Sequence, residues 1–350
     1  MDSRPLGAFM TDQESEVIIL GGGCIGASIG ASLMKEGYKS VQLLDFSQRS
    51  ASATSASGGM LRIFHESLEH MELAHFSKKQ ERDFGVSSMH QEGHLYFFDQ
   101  KRLAGFSGHF DWLRRQGVEF ELLNSAKGRE RFPTYAWKKE DWAVYEPDAG
   151  HRDPQQFTDS LLNFASKKGL MIQQQTQISK ICIHLDRFRL IADEKSFSSK
   201  LVILAGGYQM LPLLQSLRLN LKLEKKEIRN FRLEVEPDQN ISLQGPNYFD
   251  RESLEYARLG QNPKKILSSN CPSRIPQFKA QGPLEEKISF DAYSPARLGL
   301  LGEISGRPNL MIASGWGGTG FKFALEVGHR IAKAITHRPQ NYRGQYAVLS

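Results

Sequence analysis

Apolar and polar positions near the start of the chain predict a strand, a helix and a second strand, in that order. Residues 16–20 (EVIIL) form a short apolar run that is typical of a buried strand. Residues 24–36 then carry apolar side chains at four-residue steps, as one face of a helix does. Residues 40–45 (SVQLLD) predict the next strand. Such a β–α–β unit requires a parallel sheet that is covered by helices.

Further along, helical periodicity and strand-like runs alternate. The predicted helical segments cover residues 67–84, 111–116, 155–168 and 321–336. The predicted strands cover residues 93–98, 119–123, 171–175, 178–185, 187–192, 200–204, 228–236, 245–260 and 310–313. The small polar residues at 50–59 predict a loop. The α/β pattern stops, returns near residue 150 and returns again near residue 300, which indicates two domains with discontinuous chain segments.

Composition and charge narrow the class of protein. The net charge is +6, but basic residues are scattered and their densest run, residues 222–232, is interrupted by glutamates, which disfavours a nucleic-acid surface. Cys24, Cys182 and Cys271 lie far apart, so we expect a reducing compartment, the cytoplasm. The chain begins without a signal-peptide core, and three successive glycines interrupt the uncharged residues 17–34, so we expect no membrane span. The histidine spacing suggests no metal site.

A glycine motif occupies the turn between the first strand and the first helix. Gly21, Gly23 and Gly26 stand at the spacing GxGxxG, which permits a tight turn, close backbone approach to a pyrophosphate and close packing of helix on strand. Asp45 ends the next strand, 19 positions after Gly26, where an acidic side chain accepts hydrogen bonds from a ribose. We expect the neighbouring residues to contact the same ligand: Cys24, Ile25 and Phe46. This motif is compatible with either FAD or NAD as the cofactor, and its acidic residue argues against NADP.

Four further segments resemble the FAD-dependent amine and amino-acid oxidase family, which includes monomeric sarcosine oxidase, glycine oxidase and D-amino-acid oxidase. They are residues 52–65 (SATSASGGMLRIFH), 150–157 (GHRDPQQF), 201–208 (LVILAGGY) and 315–328 (GWGGTGFKFALEVG). The resemblance spans most of the chain and implies FAD as the cofactor. The residues that it places at FAD are Ser57, Gly58, Gly59, Met60, Ile178, Ala205, Gly206, Gly207, Gly315, Gly317, Gly318, Thr319, Gly320, Phe321 and Lys322.

The resemblance also implies the fold. We expect an α/β protein in which a Rossmann-like FAD-binding domain is joined to a discontinuous second domain built on a mixed or antiparallel β-sheet. The FAD-binding domain would comprise residues 13–90, 150–215 and 300–345. The substrate domain would comprise residues 91–149 and 216–299, and residues 1–12 would be a disordered lead-in. A chain of 350 residues is long enough for two hydrophobic cores.

Within the family, the site residues are most similar to those of the sarcosine oxidase group. Arg62 matches an arginine beside the flavin, and Lys322 matches a lysine that helps to hold the substrate carboxylate. His65 stands where that group has a second, carboxylate-binding arginine, and Thr319 stands where it has a histidine. A histidine cannot form the arginine fork, so the substrate is expected to differ from a simple N-methyl amino acid.

Three residues of the predicted second domain match other family positions. Arg258 falls where the sarcosine oxidase group has a lysine that promotes the reaction with oxygen. Tyr248 is expected to line the substrate pocket. Asp291 replaces the cysteine to which that group attaches FAD, so the cofactor is expected to be bound non-covalently. Arg258, Lys322, His65, Arg62 and Tyr248 are therefore the candidate catalytic residues.

The resemblance implies an FAD-dependent oxidase or dehydrogenase. It would oxidise the C–N bond of a small amine or amino acid by hydride transfer to flavin N5, and the imine would then hydrolyse. Molecular oxygen or another acceptor would reoxidise the flavin. Three alternatives remain open: a dehydrogenase that passes electrons to a protein partner, an enzyme that acts on an amine within a larger molecule such as tRNA, and a non-catalytic flavin-holding subunit.

Overall fold

The computed structural model describes residues 12–46, 52–184, 186–192, 195–235, 245–259, 265–269, 273–275, 280–295 and 298–337. Its strands are β1 (Asp12–Leu20), β2 (Val41–Leu44), β3 (Met60–Leu61), β4 (His90–Gln91), β5 (His94–Asp99), β6 (Glu121–Asn124), β7 (Asp141–Glu146), β8 (Gly150–His151), β9 (Met171–Gln173), β10 (Lys180–Ile183), β11 (Phe188–Ala192), β12 (Lys195–Leu204), β13 (Glu224–Val235), β14 (Asn247–Asp250), β15 (Glu255–Leu259), β16 (Lys265–Ser268), β17 (Ala280–Tyr293), β18 (Leu300–Glu303) and β19 (Leu310–Ser314).

The α-helices are α1 (Cys24–Lys35), α2 (Ala53–Ala56), α3 (Leu68–Gln80), α4 (Ser107–Arg115), α5 (Ser125–Arg131), α6 (Pro154–Lys167), α7 (Leu211–Ser216) and α8 (Gly320–Thr336). Short 3-10 helices cover Glu81–Asp83, Gln100–Phe106 and Gly207–Met210. In the described part of the chain, no helix combines the length and the apolar character needed to cross a membrane. The cytoplasmic location stays a prediction.

The first sheet is built around parallel strands. Strand β1 pairs in parallel with β2 on one side and with β12 on the other, and β9 and β19 extend this parallel core. Strands β10, β11 and β18 add antiparallel edges. Strand β2 is buried throughout and β1 is buried over its second half, as the apolar run Val17, Ile18, Ile19 and Leu20 requires. This arrangement confirms the predicted α/β fold with a Rossmann-like first unit.

Helices cover one face of this sheet closely. Helix α1 packs against both α6 and α8, and Ile29 and Leu33 on it are fully buried. The backbones of α1 and α8 come so near that a Cβ on Gly328 would lie 2.5 Å from the carbonyl oxygen of Ser28. The opposite face buries a separate apolar cluster that includes Ile18. Both faces of the sheet are therefore shielded from water.

The second sheet has eight strands in the order β17-β13-β16-β15-β14-β5-β7-β6. Its pairs are antiparallel except for β14 with β5, which makes the sheet mixed, as predicted. A small third sheet joins β3, β8 and β4. The division of the chain into the five predicted domain segments stays a prediction.

Some predicted boundaries were wrong. Asp12 already belongs to β1, because the polar residues from Asp12 to Ser15 pair with Ser196 to Ser199 of β12 through the main chain, which apolar patterning does not report. Residues 1–11 of the predicted lead-in, and Cys271, lie outside the described residues. The predicted loop 50–59 contains α2, whose first turn is capped when the Ser52 side chain accepts a hydrogen bond from the Ser55 amide.

Candidate active site

A cavity of about 1040 Å³ lies at the carboxyl ends of the parallel strands. Gly21, Asp45, Ala205 and Ser314 line it, and each ends or directly follows one of the strands β1, β2, β12 and β19. The second sheet supplies further lining residues, among them Tyr96, Phe249, Tyr256 and Asp291. Ligands of open α/β sheets bind at this edge.

Glycines shape the turn between β1 and α1. Gly21 has a φ of +113°, and a Cβ on it would lie 2.5 Å from the Cα of Gly206. A Cβ on Gly26 would lie 1.9 Å from the carbonyl oxygen of Gly21, so a side chain there would prevent this close turn. Gly23 is the N-cap residue of α1, and it has no side chain that could cap this helix. Gly23 and Ile25 both line the cavity. The positive end of the helix dipole therefore faces the cavity, where it favours phosphate.

Asp45 fixes the other side of this turn. Its side chain is 5% exposed, and its Oδ1 accepts a hydrogen bond from the Gly22 amide at 3.0 Å. Asp45 also lines the cavity, so it can bind a ribose hydroxyl while it holds the glycine turn. The neighbouring Phe46 is half-buried. Its ring lies so close to Gly206 that a Cβ on Gly206 would lie 2.8 Å from the Phe46 ring.

Side chains of the second sheet hold the segment that follows α2. Arg258 donates from Nη1 to the carbonyl oxygen of Gly58 at 3.0 Å. Lys287 donates from Nζ to the carbonyl oxygen of Ser55 at 2.7 Å, and the Asn230 amide donates to the carbonyl oxygen of Ala56. The cavity-lining residues of the segment are Ser57, Gly58, Gly59 and Met60. The second sheet thus positions one wall of the cavity.

The glycine loop before α8 forms another wall. Gly315, Gly317 and Gly318 have φ values of +84°, +54° and +81°, a conformation that side chains rarely adopt. Asp291 accepts a hydrogen bond from the Gly318 amide at 2.7 Å and so ties the loop to β17. Burial raises the pKa of the Asp291 carboxyl, and its two amide donors oppose the shift. Gly320, Phe321 and Thr319 also line the cavity.

The cavity fits a dinucleotide that carries a flat ring. Its walls include glycine backbone at both ends, where no side chain fills the space. Ser314 and Trp316 also line the cavity. The predicted FAD contacts at residues 205–207 also line the cavity.

A cationic cluster stands on the same cavity. The guanidinium carbon of Arg62 lies 5.0 Å from the ring centroid of Tyr96 and 5.1 Å from that of Phe249. Arg62 also donates to Nδ1 of His65 at 3.3 Å. Lys322, in the first turn of α8, lines the cavity beside them. Burial, with the positive charge of Arg62, lowers the pKa of Lys322 to about 7.

His65 is neutral in this environment. Burial lowers its pKa well below the usual value, and the positive charges of Arg62 and Lys322 act in the same direction. Because an arginine can only donate, His65 must accept through Nδ1 and carry its proton on Nε2. That Nε2 has no partner among the described residues. His65 therefore brings no positive charge to the cavity.

A buried carboxylate supports the cluster, and sequence reasoning missed it. Glu146, at the end of β7, accepts hydrogen bonds from the amides of Ile63 at 2.8 Å and Phe64 at 2.9 Å. Burial raises the pKa of Glu146, and the two amides and Arg62 oppose that shift. Its partners are over 80 positions away in sequence, so local pattern carries no signal for this contact.

Most predicted site residues meet at the cavity, and five do not line it. These are Gly26, Phe46, Ile178, Tyr248 and Arg258. Gly26 and Phe46 act through packing on the glycine turn. Ile178 is buried in the apolar cluster beneath the sheet. The prediction for Tyr248 was wrong, because its side chain is fully buried in the second core with its hydroxyl on Glu255, and Phe249 lines the cavity instead.

Comparison with known proteins gives the class. The family model described as FAD dependent oxidoreductase (DAO) matches residues 16–334. The chain therefore belongs to this family of FAD-dependent oxidoreductases, and the predicted family and cofactor are confirmed. The family acts through bound FAD, for which the cavity provides the fitting walls described above.

Individual relatives are distant. Human mitochondrial dimethylglycine dehydrogenase is 27% identical over 207 residues, which cover 55% of this chain and 23% of that protein. The 4-methylaminobutanoate oxidase (formaldehyde-forming) of Paenarthrobacter nicotinovorans is 23% identical over 362 residues, 91% of this chain and 43% of that protein. The chain thus spans less than half the length of these curated relatives. The structure of L-proline dehydrogenase from P. horikoshii has a TM-score of 0.80 at 18% identity, covering 93% of this chain and 94% of that chain.

Proposed function

We propose that this chain oxidises a C–N bond of a small amine or amino acid that carries a carboxylate. One observation carries the proposal: a single cavity joins the glycine walls that fit FAD to the cluster of Arg62, His65 and Lys322. When bound, FAD supplies the acceptor for the hydride that leaves the carbon next to nitrogen. The cationic cluster gives the same cavity a place for an anionic group of the substrate.

Arg62 is the strongest candidate for the carboxylate. A guanidinium stays charged and can bind both oxygens of a carboxylate in parallel. The rings of Tyr96 and Phe249 flank Arg62 and reduce its contact with water, which strengthens an ion pair. Together these groups would bind and orient the substrate, and orientation is a large part of the rate that enzymes achieve.

The names of the relatives support this substrate class. Dimethylglycine, 4-methylaminobutanoate and proline each carry a carboxylate and an alkylated nitrogen. A cavity with one permanent cation and aromatic walls suits such molecules. A secondary or tertiary amine with a carboxylate a few bonds away is therefore the substrate that we propose for this chain.

FAD would be bound without a covalent link. Asp291 stands at the position where the resemblance places the attachment cysteine. Cys24 is the one cysteine among the described residues that line the cavity, and burial raises the pKa of its thiol to about 11, which leaves little thiolate. Acid precipitation of the protein should therefore release the flavin into the supernatant.

Anaerobic titration tests the substrate proposal. N-methyl amino acids should bleach the flavin absorption of the purified protein, and the matching N-methyl amines without a carboxylate should bleach it far more slowly. The Arg62→Met variant should lose this preference for the carboxylate while it keeps its FAD. A flavin-loaded protein that no carboxylated amine bleaches would contradict the proposal.

A dehydrogenase that passes electrons to a partner is the second candidate. Arg258, the residue expected to promote the reaction with oxygen, is engaged with the Gly58 carbonyl and does not line the cavity. This placement favours an acceptor other than oxygen. Reoxidation of the bleached flavin by air within seconds would indicate an oxidase, and slow reoxidation that an added artificial acceptor accelerates would indicate a dehydrogenase.

A further inference from the structure

A second cavity of about 350 Å³ lies behind the cationic cluster. Its walls come from β3, α3, the chain after α4 and the end of β7. Among the described residues, Arg62 and Lys322 are the two that line both cavities. These two side chains therefore form the partition between the main cavity and the second cavity.

The lining of the second cavity suits water. Acidic, basic and imidazole side chains line it together: Glu81, Glu119, Glu146, Asp148, Arg62, Lys78, Lys79, Lys322 and His75. Because both signs of charge are present, the lining is not built for an anion alone or for a cation alone. Its volume would hold about ten water molecules, since each takes about 30 Å³ in the liquid, and its polar groups can bind them. Lys79 and Glu119 are exposed, so the cavity reaches solvent at that end.

Lys322 is the titratable group on the partition. It forms no salt bridge with any carboxylate in the described part of the chain. The charged and titratable groups that interact with it are Arg62 beside β3, His65 before α3 and His94 on β5. Glu146 on β7 and His75 and Lys78 on α3 line the second cavity with it. Burial keeps His65 and His94 neutral, so Arg62 supplies the positive charge that opposes protonation of Lys322.

We propose that the second cavity is a proton route: Lys322 takes a proton from the substrate's ammonium group in the main cavity and releases it to water in the second cavity. The substrate nitrogen keeps the electron pair of the broken N–H bond, and the lone pair of Lys322 forms the new N–H bond. Lys322 then gives that proton to a water molecule, and no electrons are exchanged. The inference rests on the proposed function for the identity of the proton donor.

The arrangement couples substrate binding to proton uptake. Burial is the main cause of the low pKa of Lys322, and the positive charge of Arg62 adds to it. A carboxylate on Arg62 would cancel much of that charge. Lys322 would therefore become a stronger base when the ammonium group arrives. An amine must lose this proton before the carbon next to it can give up a hydride, because the nitrogen lone pair stabilises the product.

The route can be tested without turnover. Cyanate carbamylates neutral amines, and mass spectrometry of the FAD-loaded protein gives the rate at Lys322, with the exposed Lys101 as reference. We expect the rate of carbamylation at Lys322 to rise with pH, with a midpoint near pH 7. Val118 lines the second cavity but not the main cavity, so Val118→Trp should narrow the second cavity alone. This variant should slow modification of Lys322 at least about tenfold and leave the rate at Lys101 unchanged. Gln116→Trp provides a second plug should Val118→Trp fail to fold.

Two results of the cyanate experiment would contradict the proposed proton route. One is an unchanged rate at Lys322 in both plug variants. The other is a pH profile of Lys322 that coincides with that of Lys101. Neither result depends on a substrate, so a failure of the proposed function, in which no amine bleaches the flavin, is distinguishable from a failure of the route.

The base role has its own measurement. In wild-type protein at substrate concentrations well below saturation, the rate of anaerobic bleaching should rise with pH through an inflection near 7, the pKa of Lys322 in the free protein. Lys322→Met and Lys322→Arg should bleach about 100-fold more slowly at pH 6.5, the size of a general-base contribution, and should recover at high pH, where the amine arrives neutral. An unchanged inflection in Lys322→Met would show that another group accepts the proton.

Discussion

Arg258 on β15 donates from Nη1 to the carbonyl oxygen of Gly58 at 3.0 Å, and this bond links the second sheet to a wall of the main cavity. Gly58 lines the cavity, whereas Arg258 does not. Lys287 on β17 donates to Ser55 three positions earlier, so two cations hold the same segment. Arg258 is therefore a positioning residue for the cofactor wall.

Replacement of Arg258 should weaken FAD binding. A hydrogen bond from a charged donor contributes about 1.5–3 kcal/mol, so Arg258→Met should raise the dissociation constant for FAD about tenfold or more. Fluorescence titration of the apoprotein measures this constant. Arg258→Lys should recover part of the loss, and Arg114→Met, which removes an exposed ion pair with Asp111, should leave the constant unchanged. Equal FAD affinity in Arg258→Met and wild type would disprove the positioning role.

Local pattern was sufficient for the nucleotide end of the site. The turn from Gly21 to Gly26 and the acidic Asp45 lie within a single β–α–β unit, so their spacing along the chain fixes their spacing in the fold. The parallel pairing of β1 with β2 follows from the same unit and from the rule that parallel strands need helical crossovers.

The substrate end could not be predicted in the same way. Tyr248 and Phe249 are adjacent on β14, and alternation puts them on opposite faces, but sequence does not tell which face meets the cavity. The structure assigns Phe249 to the cavity and Tyr248 to the core. Glu146 and the partition at Lys322 depend on contacts between residues far apart in the chain, which no local period reports.

The glycine turn yields a prediction with a matched control. Gly21 and Gly37 both have positive φ, +113° and +89°, but a Cβ on Gly21 would collide with Gly206, whereas a Cβ on Gly37 would meet nothing within 4 Å. Gly37→Ala should lose about 1 kcal/mol of unfolding free energy through backbone strain and keep FAD. Gly21→Ala should lose FAD. Denaturant unfolding and the flavin content of purified protein measure the two effects, and equal flavin content in both variants would argue against the close approach.

The stability of the apoprotein should rise with pH because of Lys322. Its folded pKa is about 7, below the ordinary 10.5, so between these values the unfolded chain binds more protons than the folded chain. Unfolding free energy must then increase with pH over this window, by up to about 1.4 kcal/mol per unit. Denaturant titrations at pH 7 and 9 should show a larger increase for wild type than for Lys322→Met. Identical increases in the two proteins would mean that folding does not lower the pKa of Lys322.

A buried ion network should stabilise the second sheet. Arg274 is 2% exposed and pairs with both Asp141 and Asp250, and it also donates to the carbonyl oxygen of Ala136 at 3.0 Å. Arg274→Met would leave two buried carboxylates without their cation and should cost about 3–5 kcal/mol of unfolding free energy. The exposed-pair variant Arg114→Met should cost less than about 1 kcal/mol. Chemical denaturation compares the two, and similar losses would show that the network contributes little.

The absorption spectrum of the FAD-loaded protein during anaerobic addition of N-methyl amino acids decides whether this chain oxidises carboxylated amines. We expect the oxidised-flavin band to disappear with a carboxylated amine and to persist with the matched amine that lacks the carboxylate. Protein that folds but takes up no FAD, or bound flavin that every carboxylated amine leaves oxidised, would contradict it.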